Sequence, residues 1–596
     1  MKILSIYSSY PSSVALTIDN KIIAAVNEER FTRIKNDERF PIHSISFCLK
    51  KAGIKAKDLD GVALASFISP FDDVLVRKSQ WSVSDYIIEQ QKIWKPLLVD
   101  KTTKKLKSLL EVFPKKIDFK QYPETYWKKN YKDPKRNEKH WRNRVDIVAN
   151  FLNISKDKVK RIDHHKAHAY YSYYTSNLIG KKTLALTADG MGDGLNATIN
   201  TFDKDCKFKR HYQTNICNIA RIYRYTTLIL GMKPNEHEYK VMGLAPYGKE
   251  KYSLNSYKVF AETLKVSGTK FVWNIKPSDS YFWFKERLDG HRFDSIAWGL
   301  QKWTEDLLTK WTANCMEKYK IYNVVFSGGV AMNIKAMGKI SNLKKLKNIF
   351  VGGSASDESL SVSSAICLRE ELSKDNKKFK RIENLYLGPE ATFKDENFLI
   401  KKIKRKYKNK YKILKSVSNK YVARKLLEGK IIGRCVGRME FGQRALGNRS
   451  ILADPRNNDI KHKINSAIKN RDFWMPFAPV IQKKLSSQYL INPKNIESPQ
   501  MTIGFQTTED GHRDMAAGCH PADKSARAQI LERKHNPNLY DLIEEFRKFT
   551  GVGALLNTSF NLHGFPIVNT PEEAFHVFIN SELDGLLLSN FFILKK

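Results

Sequence analysis

The sequence predicts an α/β protein of at least two domains, and three observations carry that expectation. Its 596 residues exceed what one hydrophobic core usually supports. The first thirty residues place ILSIY, SVALTI and KIIAAV around a turn at Asp19 and Asn20, with the alternation and turn chemistry of a β-hairpin. A similar phrase returns near residue 183, where TLALTADG is followed by Gly190, Gly192 and Gly194 and then by NATINTF. This recurrence predicts two related halves within one domain. Further on, NVVFSGGVAMN and NIFVGGSASDESLSVSSAI each have the pattern of a buried strand, a glycine turn and a helix start, which is the alternation of α/β layers.

The highly charged segment KDNKKFKRIENLYLGPEATFKDE, with its Gly388-Pro389 turn, predicts a boundary that divides residues 1–385 from residues 386–596. The second part opens with a basic helix and returns to β/α alternation. A basic, aromatic-rich stretch around 71–145 has the character of an insertion in the first part. Hydrophobic content of 42% describes a globular chain. No apolar run reaches the ~18–20 residues that span a bilayer, so no membrane is expected. The start MKILSIYSSYPSS is a poor signal peptide and a good strand. Seven scattered cysteines without a C-x-x-C pair argue against a disulfide framework and a cysteine zinc site, and fit a reducing cytoplasm.

Charge is the unusual bulk feature: 103 Lys and Arg against 62 Asp and Glu give a net +41. Between Lys101 and Arg144 there are fifteen basic residues and five acids, interleaved with Phe113, Phe119, Tyr122, Tyr126, Trp127, Tyr131 and Trp141. Cations that track phosphates beside rings that stack on bases would suit a nucleic acid. The competing explanation is a lysine-rich solvated face. A second cluster runs from Lys401 to Lys415 around Tyr407 and Tyr411.

Several islands carry chemistry. In VKRIDHHKAHAYYSYY, His164 and His168 stand at i and i+4, so a helix there turns both imidazoles to one side, where they can share a metal. His165 points elsewhere. Asp189 ends a strand in TADGMGDG, and Asp357 lies in the turn GGSASDES; both are placed to ligate a metal or to face a phosphate. In FSGGVAMN, Gly328 and Gly329 would let backbone N–H groups approach a phosphate. The islands GRMEFGQRALGNRS, KNRDFWMPFAP, SARAQ and LLNTSFNLHGFPIVNTPEEA gather arginines, a lysine and Ser/Asn turns suited to a small phosphorylated substrate.

EERFTRIKND, DHHKAH, ADGMGDG, KVMGLAPYG, SGGVAMN, EFGQRALGNRS, PFAP and LNTSFN, in this order over nearly the whole chain, resemble the NodU/CmcH-type O-carbamoyltransferases. The resemblance implies an N-terminal domain of the sugar-kinase/heat-shock/actin type, built from duplicated RNase H-like halves, and a C-terminal YrdC-like α/β domain. It implies an ATP-dependent reaction that converts carbamoyl phosphate to carbamoyl-adenylate and passes the carbamoyl group to an acceptor hydroxyl. His164, His168 and Asp357 are then expected as ligands of Fe2+, or of another divalent ion such as Mg2+, with Asp189 at the metal or the acceptor. Lys35, Lys240, Gly328, Gly329 and Asn333 are expected at ATP. Arg444, Lys469, Arg527 and Ser559 are expected to bind carbamoyl phosphate, joined by Arg449, Arg471 and Asn557. The catalytic set expected is His164, Asp189, Arg444 and Lys469.

Two positions depart from the family pattern. Tyr10-Pro11 stands where the family has His-Asp, and tyrosine is a poor base at neutral pH. Met475 stands where arginine is common, a contact that Arg471 would replace. The basic stretch and the changed acceptor-side motif point first to 5-hydroxymethylcytosine in DNA as acceptor. The alternatives are a sugar hydroxyl on an antibiotic, glycolipid or polysaccharide, and threonylcarbamoyl transfer to tRNA. A homodimer is the expected assembly.

Overall fold

The computed structural model describes residues 1–69, 71–102, 106–119, 131–373, 377–469 and 472–596, with only the backbone of Ala467 and Lys469. The chain forms two compact units, one of residues 1–28 and 36–382, the other of residues 29–35 and 383–596.

The first unit holds two five-stranded sheets. The first comprises β1 (Lys2–Tyr7), β2 (Ser13–Ile18), β3 (Lys21–Asn27), β4 (Gly61–Ala65) and β5 (Val159–Ile162), in the order β3-β2-β1-β4-β5. The second comprises β6 (Thr183–Gly192), β7 (Leu195–Phe202), β8 (Phe208–Thr214), β11 (Asn323–Ser327) and β12 (Asn348–Val351), in the order β8-β7-β6-β11-β12. Between β8 and β11 a small hairpin pairs β9 (Leu264–Ser267) with β10 (Lys270–Trp273). In each sheet the first three strands are antiparallel and the last two run parallel to the first. This identity of order and direction is the duplication that the repeated hairpin phrase predicted, and each half is RNase H-like. Parallel neighbours need crossovers, and helices supply them: Ile42–Ala52 leads from β3 to β4, and Ile334–Ser341 leads from β11 to β12. A helix also follows the last strand of each half, His164–Thr175 after β5 and Leu360–Leu372 after β12. Both are buried almost throughout, because each packs against sheet and helix rather than water.

Residues 71–145 lie within the connection from β4 to β5. Much of their charge and aromatic surface serves this fold. Arg136 grips Asp72 through Nε and Nη2, at 2.6 and 2.8 Å, and the pair is nearly buried. Arg144 is buried and donates to the carbonyls of Ser66 and Ala65. Phe113 packs on Trp81 inside the unit. Lys132 and Lys135 remain exposed, whereas Tyr122, Tyr126, Trp127, Lys128 and Lys129 lie outside the described residues.

The second unit is built on one mixed sheet of eight strands: β13 (Tyr411–Lys415), β14 (Ile432–Cys435), β15 (Arg449–Ala453), β16 (Ala478–Gln482), β17 (Gln529–Leu531), β18 (Ala554–Ser559), β19 (Gly585–Leu588) and β20 (Phe591–Lys595). Their order is β13-β20-β19-β14-β15-β18-β16-β17. Its core gathers Ile451, Leu556, Phe560, Phe575 and Phe578, and Tyr407 and Tyr411 of the second lysine cluster pack against it. Those two rings are half-buried and pack on the edge of the core. The seven cysteines are all free and buried. Among the described residues no helix is long and apolar enough to cross a membrane.

Candidate metal centre and the arginine loop

Asp163 caps the helix His164–Thr175 by accepting the Lys166 N–H at 2.6 Å, so the helix starts at the first histidine. One turn later His168 lies on the same side, and the two Nε2 atoms face each other at 3.1 Å. The outer nitrogens are fixed by hydroxyls: Ser66 Oγ lies 2.9 Å from His164 Nδ1, and Ser327 Oγ 3.5 Å from His168 Nδ1. Asp189 Oδ2 stands 3.1 Å from His164 Nε2, and Asp357 Oδ1 stands 3.4 Å from His168 Nε2 and 3.7 Å from His164 Nε2. One donor atom from each of the four residues lies within 4.8 Å of the others.

The halves contribute crosswise. Tyr7, ending the first strand of the first half, donates to Asp357 Oδ2 at 2.6 Å, and Asp357 opens the 3₁₀ turn before the last helix of the second half. Asp189, near the end of the first strand of the second half, meets His164 at the start of the last helix of the first half. Each half thus anchors a ligand with a residue of the other.

Two glycines make room for this. A Cβ on Gly192 would stand 2.1 Å from His164 Cδ2. Gly328, at φ +95, would put a Cβ 2.2 Å from the Ala188 carbonyl, so only glycine lets β11 and β6 close here. Sequence reasoning did not single out Tyr7, Ser66, Ser327 or Asp193. Asp193 accepts the N–H groups of His164, Phe67 and Ile68 and ties the helix start to the β4 loop. These partners are remote in sequence, and no local spacing marks them.

Electrostatics follow from the burial. Burial disfavours charge on His164, but the carboxylates of Asp357 and Asp189 outweigh it and push its pKa up to about 9. Burial would raise Asp189, yet His164 and the Gly329 N–H hold it well below the usual carboxylate range. His165, against Thr187 Oγ1 at 2.7 Å, is pushed down to about 3 by burial and stays neutral. The donor set suits a divalent transition ion: two imidazoles whose inner nitrogens converge, two carboxylates and the spacing of neighbouring ligands about 3 Å apart on one ion.

The expected ATP contacts are not brought together as such. The Gly328 N–H donates to Ala355 O at 2.9 Å and the Gly329 N–H to Asp189 Oδ1 at 2.7 Å, so both serve the protein and neither is offered to a phosphate. Asn333 caps the helix Ile334–Ser341 through the Ala336 N–H and pairs through its amide with Gln301, at 2.9 Å in both directions. Its role here is a cap. Lys240 is half-buried in the helix Glu238–Leu244. Lys35 belongs to the compact unit of residues 29–35 and 383–596, and the other four belong to the first unit.

In the second unit the loop 436–449 carries Arg444. Glu440, 2% exposed, accepts three N–H groups on one oxygen, from Leu446, Asn448 and Arg449, at 2.8, 2.7 and 3.2 Å. The loop carbonyls are held as well: Gly442 by Arg30, Ala445 by Asn557, Leu446 by Tyr386 and Gln529, and Gly447 by Arg434. Arg449 is fully buried and donates through Nε and Nη1 to the carbonyls of Val436, Gly437, Asn448 and Asn569, while its Nη2 is buried without a partner. Asn557 bonds Gln529 and Ala445, two residues from Arg527 and one from Arg444. Arg449 and Asn557, expected to touch substrate, support the loop with these bonds, and each keeps one buried polar atom, Arg449 Nη2 and Asn557 Oδ1, without a protein partner. Arg444, Arg527 and Ser559 are half-buried around this frame, and Ser559 Oγ donates to Asn561. Met475 is buried. Lys469 closes the short helix Asn465–Lys469, and Arg471 lies outside the described residues.

Comparison with known proteins finds two family profiles along the chain. The carbamoyltransferase N-terminus profile matches residues 2–366, and the carbamoyltransferase C-terminus profile matches residues 423–595. The chain is 30% identical, over its full length and that of the relative, to an uncharacterised protein of Methanocaldococcus jannaschii. It is 28% identical to nodulation protein NolNO of Sinorhizobium fredii, over 98% of this chain and 79% of that protein. It is 33% identical to the 3'-hydroxymethylcephem-O-carbamoyltransferase of Streptomyces clavuligerus, over 24% of this chain and 26% of that enzyme. The chain belongs to the carbamoyltransferase family and is an enzyme of that class.

Proposed function

We propose that this carbamoyltransferase uses ATP to activate the carbamoyl group of carbamoyl phosphate and delivers it to a sugar hydroxyl. The observation that carries the reading is the cluster of buried His164, His168 and Asp189 with half-buried Asp357. Carbamoyl phosphate, ATP and water give carbamoyl-adenylate, pyrophosphate and phosphate. The acceptor oxygen then bonds to the carbamoyl carbon, the bond to AMP breaks, and the hydroxyl proton is lost. Activation is needed because carbamate is a poor electrophile and AMP a good leaving group.

Fe2+ or a related divalent ion would be held by the four ligands and would supply Lewis-acid stabilisation of the oxyanion that develops during transfer. The chain's own residues do the rest. Ser66 and Ser327 hold the imidazoles in one orientation, Tyr7 holds Asp357, and the loop fixed by Glu440 presents Arg444 to the phosphorylated substrate. Gly328, Gly329 and Asn333 are given no phosphate contact.

Hydroxymethylated DNA is the weaker acceptor. Arg136, Arg144 and Phe113, counted in its favour from the sequence, are buried in intramolecular contacts. Family relatives with named roles include nodulation proteins and a cephem carbamoyltransferase.

The test is direct. Full-length protein with carbamoyl phosphate, ATP and Fe2+ should release pyrophosphate only when carbamoyl phosphate is present. Mass spectrometry should then find a carbamoyl group on a neutral glycoside and none on DNA containing 5-hydroxymethylcytosine. Pyrophosphate release independent of carbamoyl phosphate would overturn the activation step, and efficient labelling of the DNA would restore the nucleic-acid reading.

A further inference from the structure

The reaction above leaves a group of polar side chains in the first unit unused. Arg224, on the helix Ile219–Ile229, places its guanidinium carbon 5.8 Å from the ring centre of Tyr86 and 5.3 Å from that of Tyr225. Among the described residues it makes no hydrogen bond and no ion pair, and its Nε is buried without an acceptor. Such a fork between rings is a donor set waiting for oxygen acceptors.

Its neighbours lead back to the acceptor side. The Tyr86 hydroxyl lies 3.5 Å from Asn235 Nδ2, the Asn235 carbonyl accepts from Tyr10 Oη at 3.4 Å, and the Asn235 N–H donates to Glu238 Oε1 at 2.6 Å. Tyr10 is three residues past Tyr7, whose hydroxyl holds the ligand Asp357.

Charge decides which ligand fits. Lys78 is bracketed by Asp73 at 2.9 Å and Glu89 at 3.0 Å, and the carboxylates of Glu89 and Glu238 also act on Arg224 without an ion pair. Lys233 and Glu236 cancel each other in an ion pair. An anionic ligand would add negative charge that nothing here compensates, in a half-buried place where solvent screens little. A neutral polyol adds none. Adjacent hydroxyls can accept from the guanidinium fork and donate to a carboxylate, while the C–H face of a sugar ring lies on an aromatic ring. Burial pushes the Glu238 carboxyl up to about 7, and its carboxyl oxygens can accept from a hydroxyl in either protonation state.

We propose that Arg224, Tyr225 and Glu238 form the subsite that holds a neutral sugar by two adjacent hydroxyls, beside Tyr10. This rests on the sugar-acceptor reading above and adds to it where the sugar binds and what it must carry.

The wild-type protein gives the first test, free of any folding question. Saturation-transfer NMR with the methyl glycosides of glucose, galactose and mannose should show binding of at least one. The methyl glycoside of glucuronic acid should bind at least tenfold more weakly than its neutral counterpart. In steady-state transfer, Arg224→Met should raise the KM for the bound glycoside at least tenfold and lower kcat less, with Arg224→Lys recovering part of the loss. A wild-type KM in Arg224→Met, or preference for the uronic acid, would overturn the subsite. Absence of carbamoyl-phosphate-dependent pyrophosphate release from the wild type would instead defeat the proposed function. Pyrophosphate release with no glycoside bound would defeat the subsite alone.

Discussion

Gly192 lies flat against the imidazole of His164: a methyl group in place of its hydrogen would stand 2.1 Å from Cδ2 and 2.4 Å from Nε2. The ring has little room to yield, because Ser66 holds Nδ1 from the opposite side and Asp193 holds the backbone N–H.

Gly192→Ala should therefore move His164 off the shared point and weaken divalent ion binding by about tenfold or more, the usual effect of disturbing a ligand's support. Gly190→Ala is the control, since its Cβ would meet nothing within 4 Å. Metal content after dialysis against graded chelator checks this, and equal retention by both variants would show that the ring tolerates the intrusion.

The same histidine predicts a pH dependence. Its folded-state pKa of about 9 lies above the ~6.5 of an unperturbed imidazole. In metal-free protein its stabilisation is fully present below pH 6.5 and is lost as pH rises through 9. A divalent ion competes with that proton, so metal should bind more tightly as pH climbs across the same window. Thermal midpoints of chelator-treated protein between pH 6 and 9.5 should fall, and reloading with Fe2+ should reverse most of the fall. A midpoint that rises with pH in the metal-free protein would contradict the assignment.

Glu440→Gln keeps the size of the side chain but removes the charge that collects three N–H groups. We expect a loss of about 2 kcal/mol, typical of hydrogen bonds to a charged acceptor, together with a KM for carbamoyl phosphate raised about tenfold. Steady-state kinetics with ATP saturating measures it. A lowered stability with an unchanged KM would mean that the loop's shape is irrelevant to the substrate.

Asn333→Ala separates a helix cap from a nucleotide contact. Loss of the cap and of the pairing with Gln301 should cost about 1 kcal/mol and leave the KM for ATP where it was. A tenfold rise in that KM without loss of stability would return Asn333 to the nucleotide.

How far the sequence carried these conclusions depends on the range of each interaction. The hairpin of β1 to β3, its repeat at β6 and β7, and the i, i+4 histidines were legible because turn chemistry and helical periodicity act over a few residues. Asp189 and Asp357 were legible as strand-end carboxylates beside small residues. What joins them was not: Tyr7 reaches Asp357 across 350 positions, and Ser66 reaches His164 across 98. Glycines that admit a phosphate and glycines that admit a neighbouring strand look alike in a sequence, which is why Gly328 and Gly329 were expected at ATP. Buried arginines mislead in the same way. Arg136, Arg144 and Arg449 count as charge in any tally, yet each donates to a carboxylate or to backbone carbonyls within the fold.

The placement of residues 29–35 with residues 383–596 has a consequence for how the protein is made. Arg30 donates to the Gly442 carbonyl, and Arg33 donates to Pro566 and Ile567 and pairs with Glu573. These partners leave the ribosome 412 to 534 residues after the arginines do, and Glu573 later still. The seven-residue segment must wait through synthesis of nearly the whole polypeptide before its cations find their acceptors, a long-range closure of the kind that slows folding. A recombinant fragment starting at Glu383 would lack both arginines. Supplying residues 29–35 as a separate peptide, and measuring whether the fragment's thermal midpoint rises, would show how much of the second unit's stability is synthesised first and used last.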